Sequence, residues 1–524
     1  MKTLCMSIGL VSALLVGSFV SAQENETSVR SAPVTKALQL DLATFLGGSG
    51  EDRAHGMAVD AQGNIYLTAP IQSTDFPTTP DALNKTPTGI YVAKLSPAGA
   101  LLYSTYLGAA GGNNYAHGIA VDKQGCIYVA GNTTNPDFPT TRGAFQTIFK
   151  GPRDNSHGDA FIVKLSPSGD RIIYSTFLGG SSLDICGKIA VDAEGNAYVL
   201  GCTSSRDFPV TPGAFQTIYK GGGEDNNPSG RGDLFVAKLN PDGSKLVYCT
   251  YIGGSGVEVY GDGIVVEPSG SVWFAGSTTS PDFPVTANAF AKTYSGGSGA
   301  RGGGDAVIVK LNPAGTALEY ASYVGGSGDE HGQSVAVDGD GNIWLSGETT
   351  SGEFPTTVDA YCRQHKGESD CFFLKLDPRS GRLLYSSLLG GSKADNLASI
   401  AVHPSGLLVL AGRTESADFP VTAGAYSTNL KGPSDLFVAL CDPTAKLLRY
   451  CTFLGGSGNE VPGPLLLVKD RVYLAGNTTS ADFPVTEDAW DKTFNGGTND
   501  WGGDAFVARF ALVDRNGKRS GDAK

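Results

Sequence analysis

Residues 171–182 read RIIYSTFLGGSS, and the same phrase returns six more times along the chain. It stands as LDLATFLGGSG from Leu40, LLYSTYLGAAG from Leu101, KLVYCTYIGGSG from Lys245, ALEYASYVGGSG from Ala317, RLLYSSLLGGSK from Arg382 and LLRYCTFLGGSG from Leu447. A second marker follows each copy: Asp-Phe-Pro at Asp75, Asp137, Asp207, Asp282, Asp418 and Asp482, and Glu-Phe-Pro at Glu353. Successive markers lie 62, 70, 75, 71, 65 and 64 residues apart. That period is too long for the solenoid repeats of about 20–50 residues.

Each repeat carries four strand signals. After the Gly-Gly turn comes a short apolar strand ending in Asp, such as Gly118–Asp122, then a turn of the Gly195-Asn196 kind and a second strand such as Ala197–Gly201. Gly at the turn supplies the positive φ that a tight hairpin needs. The Asp-Phe-Pro segment is a loop, because Pro cannot donate to a ladder. A third strand opens with Asp, as in Asp159–Leu165, and a Pro-x-Gly turn leads to the fourth, Ile172–Leu178. Four antiparallel strands repeated radially make a propeller blade. A linear stack would need distinct capping repeats, and none is visible.

The expected fold is therefore all-β: a seven-bladed β-propeller with four antiparallel strands per blade. The chain opens on a fourth-type strand, Leu38–Leu46, and closes on a third-type strand, Asp504–Phe510. The first segment is expected to supply the outer strand of the last blade, which removes an exposed sheet edge.

Composition agrees. Gly makes up 72 of 524 residues and charged residues only 17%, as suits short strands, tight turns and buried sheet faces. The net charge of −13 argues against nucleic acid as a partner. At the N-terminus, Lys2, the apolar run Leu10–Val20 and the small residues Val20-Ser21-Ala22 read as a cleaved signal peptide. The run is too short to span a membrane. The domain reading is signal peptide 1–22, polar linker 23–37, propeller 38–512 and polar tail 513–524. A periplasmic, cell-surface or secreted location follows, and eight cysteines remain after cleavage. Cys186 and Cys202, which flank one hairpin, and Cys362 and Cys371, which close a short loop, are disulfide candidates; buried free thiols are the other reading.

The joined motif, YSTYLGGSG, then GIAVDxxGNxYVAGxTxSxDFPxTxGAFQ, then GGDAFVAKLNPDG, resembles the SBBP β-propeller repeat family of exported bacterial proteins. The resemblance covers Leu38 to Leu512. Repeat 1 departs at Thr88-Gly89-Ile90, where Gly-Gly-Asp is expected, and repeat 7 at Lys469-Asp470-Arg471 in its first hairpin. The resemblance implies an extracytoplasmic scaffold and carries no catalytic residue or cofactor.

Two groups of candidate binding residues emerge. In register, the heads of the innermost strands present His55, His117, Gly187, Asp262, Gln333 and Ala398 at the channel mouth, with Arg53, Tyr115, Ile185, Tyr260, His331 and Asn396 two positions earlier. Arg53, His55, Tyr115, His117, Tyr260, Asp262, His331 and Gln333 could converge on a substrate or metal, or could line a wet rim. The variable loops supply Glu224, Asp225, Arg231, Asp500 and Trp501. Asp338-Gly339-Asp340-Gly341-Asn342 resembles the start of a calcium loop, but Thr349 stands where the bidentate acid is needed, so a hairpin turn is expected. Arg231-Gly232-Asp233 spells an adhesion tripeptide, yet its Asp matches the strand-opening Asp of other repeats. The Asp-Phe-Pro carboxylates recur once per blade, unlike an asymmetric reaction centre. The functional expectation is a non-catalytic, monomeric scaffold that binds a protein or glycan. The alternative is a hydrolase or lyase at the channel mouth.

Overall fold

A computed structural model describes residues 36–153, 158–222, 232–297, 303–442, 444–496 and 503–514. The expected signal peptide, most of the linker, the end of the tail and the loop candidates Glu224, Asp225, Arg231, Asp500 and Trp501 lie outside the described residues. The strands form seven four-stranded antiparallel sheets. Blade 3 is typical, with Asp184–Val191 innermost, then Ala197–Thr203, Asp233–Leu239 and Leu246–Ile252 outermost. Blade 7 contains Glu460–Val468, Arg471–Thr478 and Asp504–Asp514, and its outer strand is Lys36–Leu46. The closing register runs from Lys36 opposite Asp514 to Leu46 opposite Ala505, which is the expected closure. No helix among the described residues is long and apolar enough to cross a membrane.

The strands are buried on both faces because each blade packs between two others. Seven apolar clusters fill the ring, each drawn from two adjacent blades. The Phe of each Asp-Phe-Pro marker enters one of them. Phe138 stacks on Phe161 of its own blade at 4.4 Å between ring centroids and joins the core cluster that includes Ile90 and Val92 of the preceding blade. Burying such a ring is worth about 1.5–3 kcal/mol. The neighbouring Asp fastens a turn: Asp207 Oδ1 accepts from the Ser181 N–H at 2.7 Å and the Ser181 hydroxyl at 2.8 Å. The same clasp joins Asp75 to Ser49 and Asp282 to Ser255, and its hydrogen bonds hold these carboxyls below their usual range.

The Asp338–Asn342 segment is a hairpin turn. The Asp338 carboxylate accepts from the N–H groups of Asp340 and Asn342 at 2.9 Å and pairs with Lys375 at 2.7 Å. At the departure in repeat 7, Lys469 takes a positive φ of 55° where other blades use Gly.

Neither cysteine pair is bonded, and all eight described cysteines are free thiols. Sequence symmetry about Glu194 suggests that Cys186 opposes Cys202. A β-bulge between Cys186 and Lys188 shifts the register, so Cys202 lies opposite Ile185 and Cys186 opposite Gly201. One position of offset turns the two thiols to opposite faces: Cys186 enters the core between blades 2 and 3, and Cys202 that between blades 3 and 4. Cys371 and Cys362 likewise reach different cores.

Candidate functional site

The innermost strands line the channel, and most carry a β-bulge near their heads. It falls between Ala116 and Gly118, between Cys186 and Lys188, and between Gly332 and Ser334. A bulge leaves one residue out of the ladder and re-aims side chains. In blade 2 the bulged residue is His117, which belongs to the predicted mouth column.

His55 and His117 stack with centroids 5.7 Å apart and planes 10° from parallel. The Tyr115 ring lies 6.4 Å from His117 on a nearly parallel plane. His117 Nε2 is 3.0 Å from Asn132 Oδ1 on the next strand of its blade. On the next two blades, Lys188 Nζ is paired with Asp262 Oδ1 at 2.7 Å. Loss of hydration pushes the His55 pKa well down, and the nearby His117, Arg53 and Lys188 add to the effect. His55 is therefore a neutral imidazole in a positive neighbourhood, on a protein of net charge −13.

These groups sit at one end of a cavity of about 360 Å³ that all seven innermost strands enclose. His55, His117, Lys188 and Asp262 are its ionisable lining, and the remainder is mostly apolar, including Met57, Ile119, Ile189, Val335 and Ile400. Of the eight mouth candidates, His55, His117 and Asp262 line the cavity. Arg53 is not in the lining; its guanidinium lies 3.7 Å from the Glu51 carboxylate. Tyr260 instead covers Gly187, where a Cβ would meet its ring at Cε2 and Cζ. His331 stands in register with Glu348, whose carboxylate accepts from Asn396 at 2.7 Å. Gln333 occupies the bulge of blade 5 and is absent from the cavity lining. Among the described residues no group of three or more His, Cys, Asp or Glu is placed to hold a metal ion. Sequence register missed Lys188. The column pointed to Gly187, and the bulge there gives the channel its neighbour. The tripeptide aspartate, Asp233, is fully buried at the head of its strand.

Residues 102–139 and 173–209 match the family model described as SBBP, a β-propeller repeat. Two of the seven repeats match this model. No curated protein matches it. The chain is similar to an ulvan lyase of a polysaccharide lyase family, at 8% identity and a TM-score of 0.47, covering 85% of this chain and 94% of that one. It is similar to the polysaccharide lyase Uly1 at 9% identity and a TM-score of 0.45, covering 91% and 99%. A protein of unknown function from Dyadobacter fermentans gives 11% identity and a TM-score of 0.38, covering 91% and 99%.

Proposed function

We infer that this protein is an exported, non-catalytic binding scaffold whose channel mouth receives an acidic group of a protein or glycan ligand. The observation that carries this reading is the concentration of His55, His117 and Lys188, with Arg53 near His55 and Asp262 as the one acid of the lining, in a mostly apolar channel of an acidic protein. A carboxylate entering there would exchange Asp262 for itself on Lys188 and gain charge-assisted hydrogen bonds. The rigid ring holds these groups in place before the ligand arrives, which lowers the ordering cost of binding.

The test is calorimetric titration with an acidic and a neutral oligosaccharide of matched length, using the protein and its Lys188→Ala variant. The acidic ligand should bind, weaken about tenfold or more on loss of the ammonium, and weaken again at high salt. Equal binding of both ligands, unaffected by the substitution, would remove the channel mouth from consideration. Depolymerisation of the oligosaccharide during the titration would favour the enzyme reading, with neutral His55 as its base.

A further inference from the structure

Six of the seven third strands open with a buried aspartate: Asp159, Asp233, Asp305, Asp370, Asp435 and Asp504. Each faces a second buried acid across the junction to the next blade, at or just before the head of its innermost strand. These partners are Asp184, Glu258, Glu330, Asp395, Glu460 and, closing the ring, Asp52. The two carboxyls meet around the first Gly of the Gly-Gly turn. A Cβ on Gly253 would lie 2.5 Å from Asp233 Oδ1 and 2.6 Å from Glu258 Oε2, and one on Gly325 would lie 2.6 Å from Asp305 Oδ1 and 2.5 Å from Glu330 Oε2.

The outward oxygens are satisfied. Asp233 Oδ2 accepts from the Lys220 N–H and the Gln216 amide, both at 2.9 Å. Glu258 Oε1 accepts from Thr278 at 2.6 Å and from Ser280. The inward oxygens, Asp233 Oδ1 and Glu258 Oε2, are fully buried and accept no hydrogen bond among the described residues, whereas at sister junctions the partner acid takes one backbone N–H, as Glu330 Oε2 from Gly326 at 2.9 Å and Asp184 Oδ2 from Gly180 at 2.7 Å. Two bare carboxylates in a dry site repel each other, and each loses its hydration. One proton between them ends the repulsion, halves the buried charge and makes an O–H···O bond.

The seventh junction supplies an internal comparison. Gly89 takes the place of the third-strand acid, and Asn114 takes the place of its partner. The Asn114 amide donates to the carbonyls of Thr88 at 2.8 Å and Ala109 at 3.1 Å, while its Oδ1 accepts from Thr133 at 2.6 Å. That acceptor geometry copies Glu258 with Thr278. Where one acid is missing, the other has become a neutral donor.

We propose that six of the seven blade junctions each bind one proton, shared between the two facing carboxyls, so that the contact between blades responds to the surrounding pH. Burial raises these groups: Asp233 to about 7 and Glu258 to about 8, with Asp159 and Asp504 also at about 7. The groups facing the Asp233–Glu258 pair are Lys220, Tyr251 with Tyr219 beside it, Cys202 and Tyr323. Elsewhere the facing titratable groups are Lys150 and Asp207, Tyr294, His365 and Lys366, Lys431, and Asp75 with Asp491. The folded pKa values lie above the ordinary carboxyl range, so folding takes up protons. The stabilisation is complete below about pH 4 and is lost as pH rises through about 7 to 8. His55, whose pKa is depressed, acts in the opposite sense at acid pH. The pair is therefore read from the difference between wild type and Glu258→Gln, whose amide can donate as Asn114 does.

The experiment is infrared spectroscopy of the folded full chain across this pH range, alongside melting curves and metal analysis of the same samples. A neutral-carboxyl carbonyl band should be present near pH 6 and fade toward about pH 9. Glu258→Gln should lose one of its six parts and flatten the fall of Tm with pH, and Asp233→Asn should do the same. Should either variant fail to fold, the wild-type band still decides. Absence of that band near pH 6 in folded protein overturns the proposal. So does stoichiometric retention of a divalent cation whose removal abolishes the pH slope.

Discussion

Gly253 shows how tightly the repeat binds its residue choices. Its missing Cβ makes room for two carboxyl oxygens, so Gly253→Ala should cost about 1–3 kcal/mol in urea unfolding. Gly339 has open space where a Cβ would sit, and Gly339→Ala should stay within about 0.5 kcal/mol. The two glycines look equally turn-like in sequence; only the packing separates them. The channel mouth was legible to a similar degree. Register alone brought out His55, His117 and Asp262. It could not supply Lys188 or exclude Gln333, because a bulge adds a residue without leaving a mark in the apolar pattern. The same bulge separates Cys186 from Cys202. Alkylation after unfolding without reductant should modify both, and a peptide linking them on non-reducing mapping would contradict the register. The paired acids were legible only in halves. The Asp opening six of the seven third strands was visible as a recurring marker, but its partner varies between Asp and Glu and belongs to the next repeat, so nothing local joins them.

At the scale of elements, the strand Lys36–Leu46 carries closure. Leu42, Ala43, Phe45 and Leu46 are buried in cores shared with blades 1, 6 and 7. Asp41 adds a polar clasp: it pairs with Arg471 and accepts from Arg509 Nε at 2.7 Å, while Arg509 also donates to the Pro97 carbonyl of blade 1. Removing residues 36–46 would bare the long strand Asp504–Asp514, and the truncated protein should melt lower or aggregate in light scattering. Asp41→Ala leaves two part-buried arginines without their carboxylate and should cost about 3 kcal/mol, read from the denaturation midpoint. The role of this strand was readable in advance because a fourth-type strand opens the chain and a third-type strand ends it. The ion cluster was not: one other fourth strand has an acid at that place, Glu319, and it pairs with Lys310 of its own blade instead. The strand alternation itself was legible throughout, but the burial of both faces depends on neighbouring blades.

Across the whole molecule, seven similar blades and seven cores shared between neighbours leave no unit that stands alone. The closing register places Lys36 opposite Asp514, so the two ends of the described chain lie within about 6 Å of one another in Cα position. Topologically the polypeptide is a circle cut once, and the cut falls between the third and fourth strands of one blade. Blade 3 offers an equivalent cut at its Asn240–Gly243 turn, which also joins a third strand to a fourth. A permutant with the old ends joined through a short linker and new ends at Gly243 and Ser244 would close blade 3 with Leu246–Ile252. It should refold to the same ring with a similar melting temperature, and where the chain starts would then be a matter of where the circle is opened.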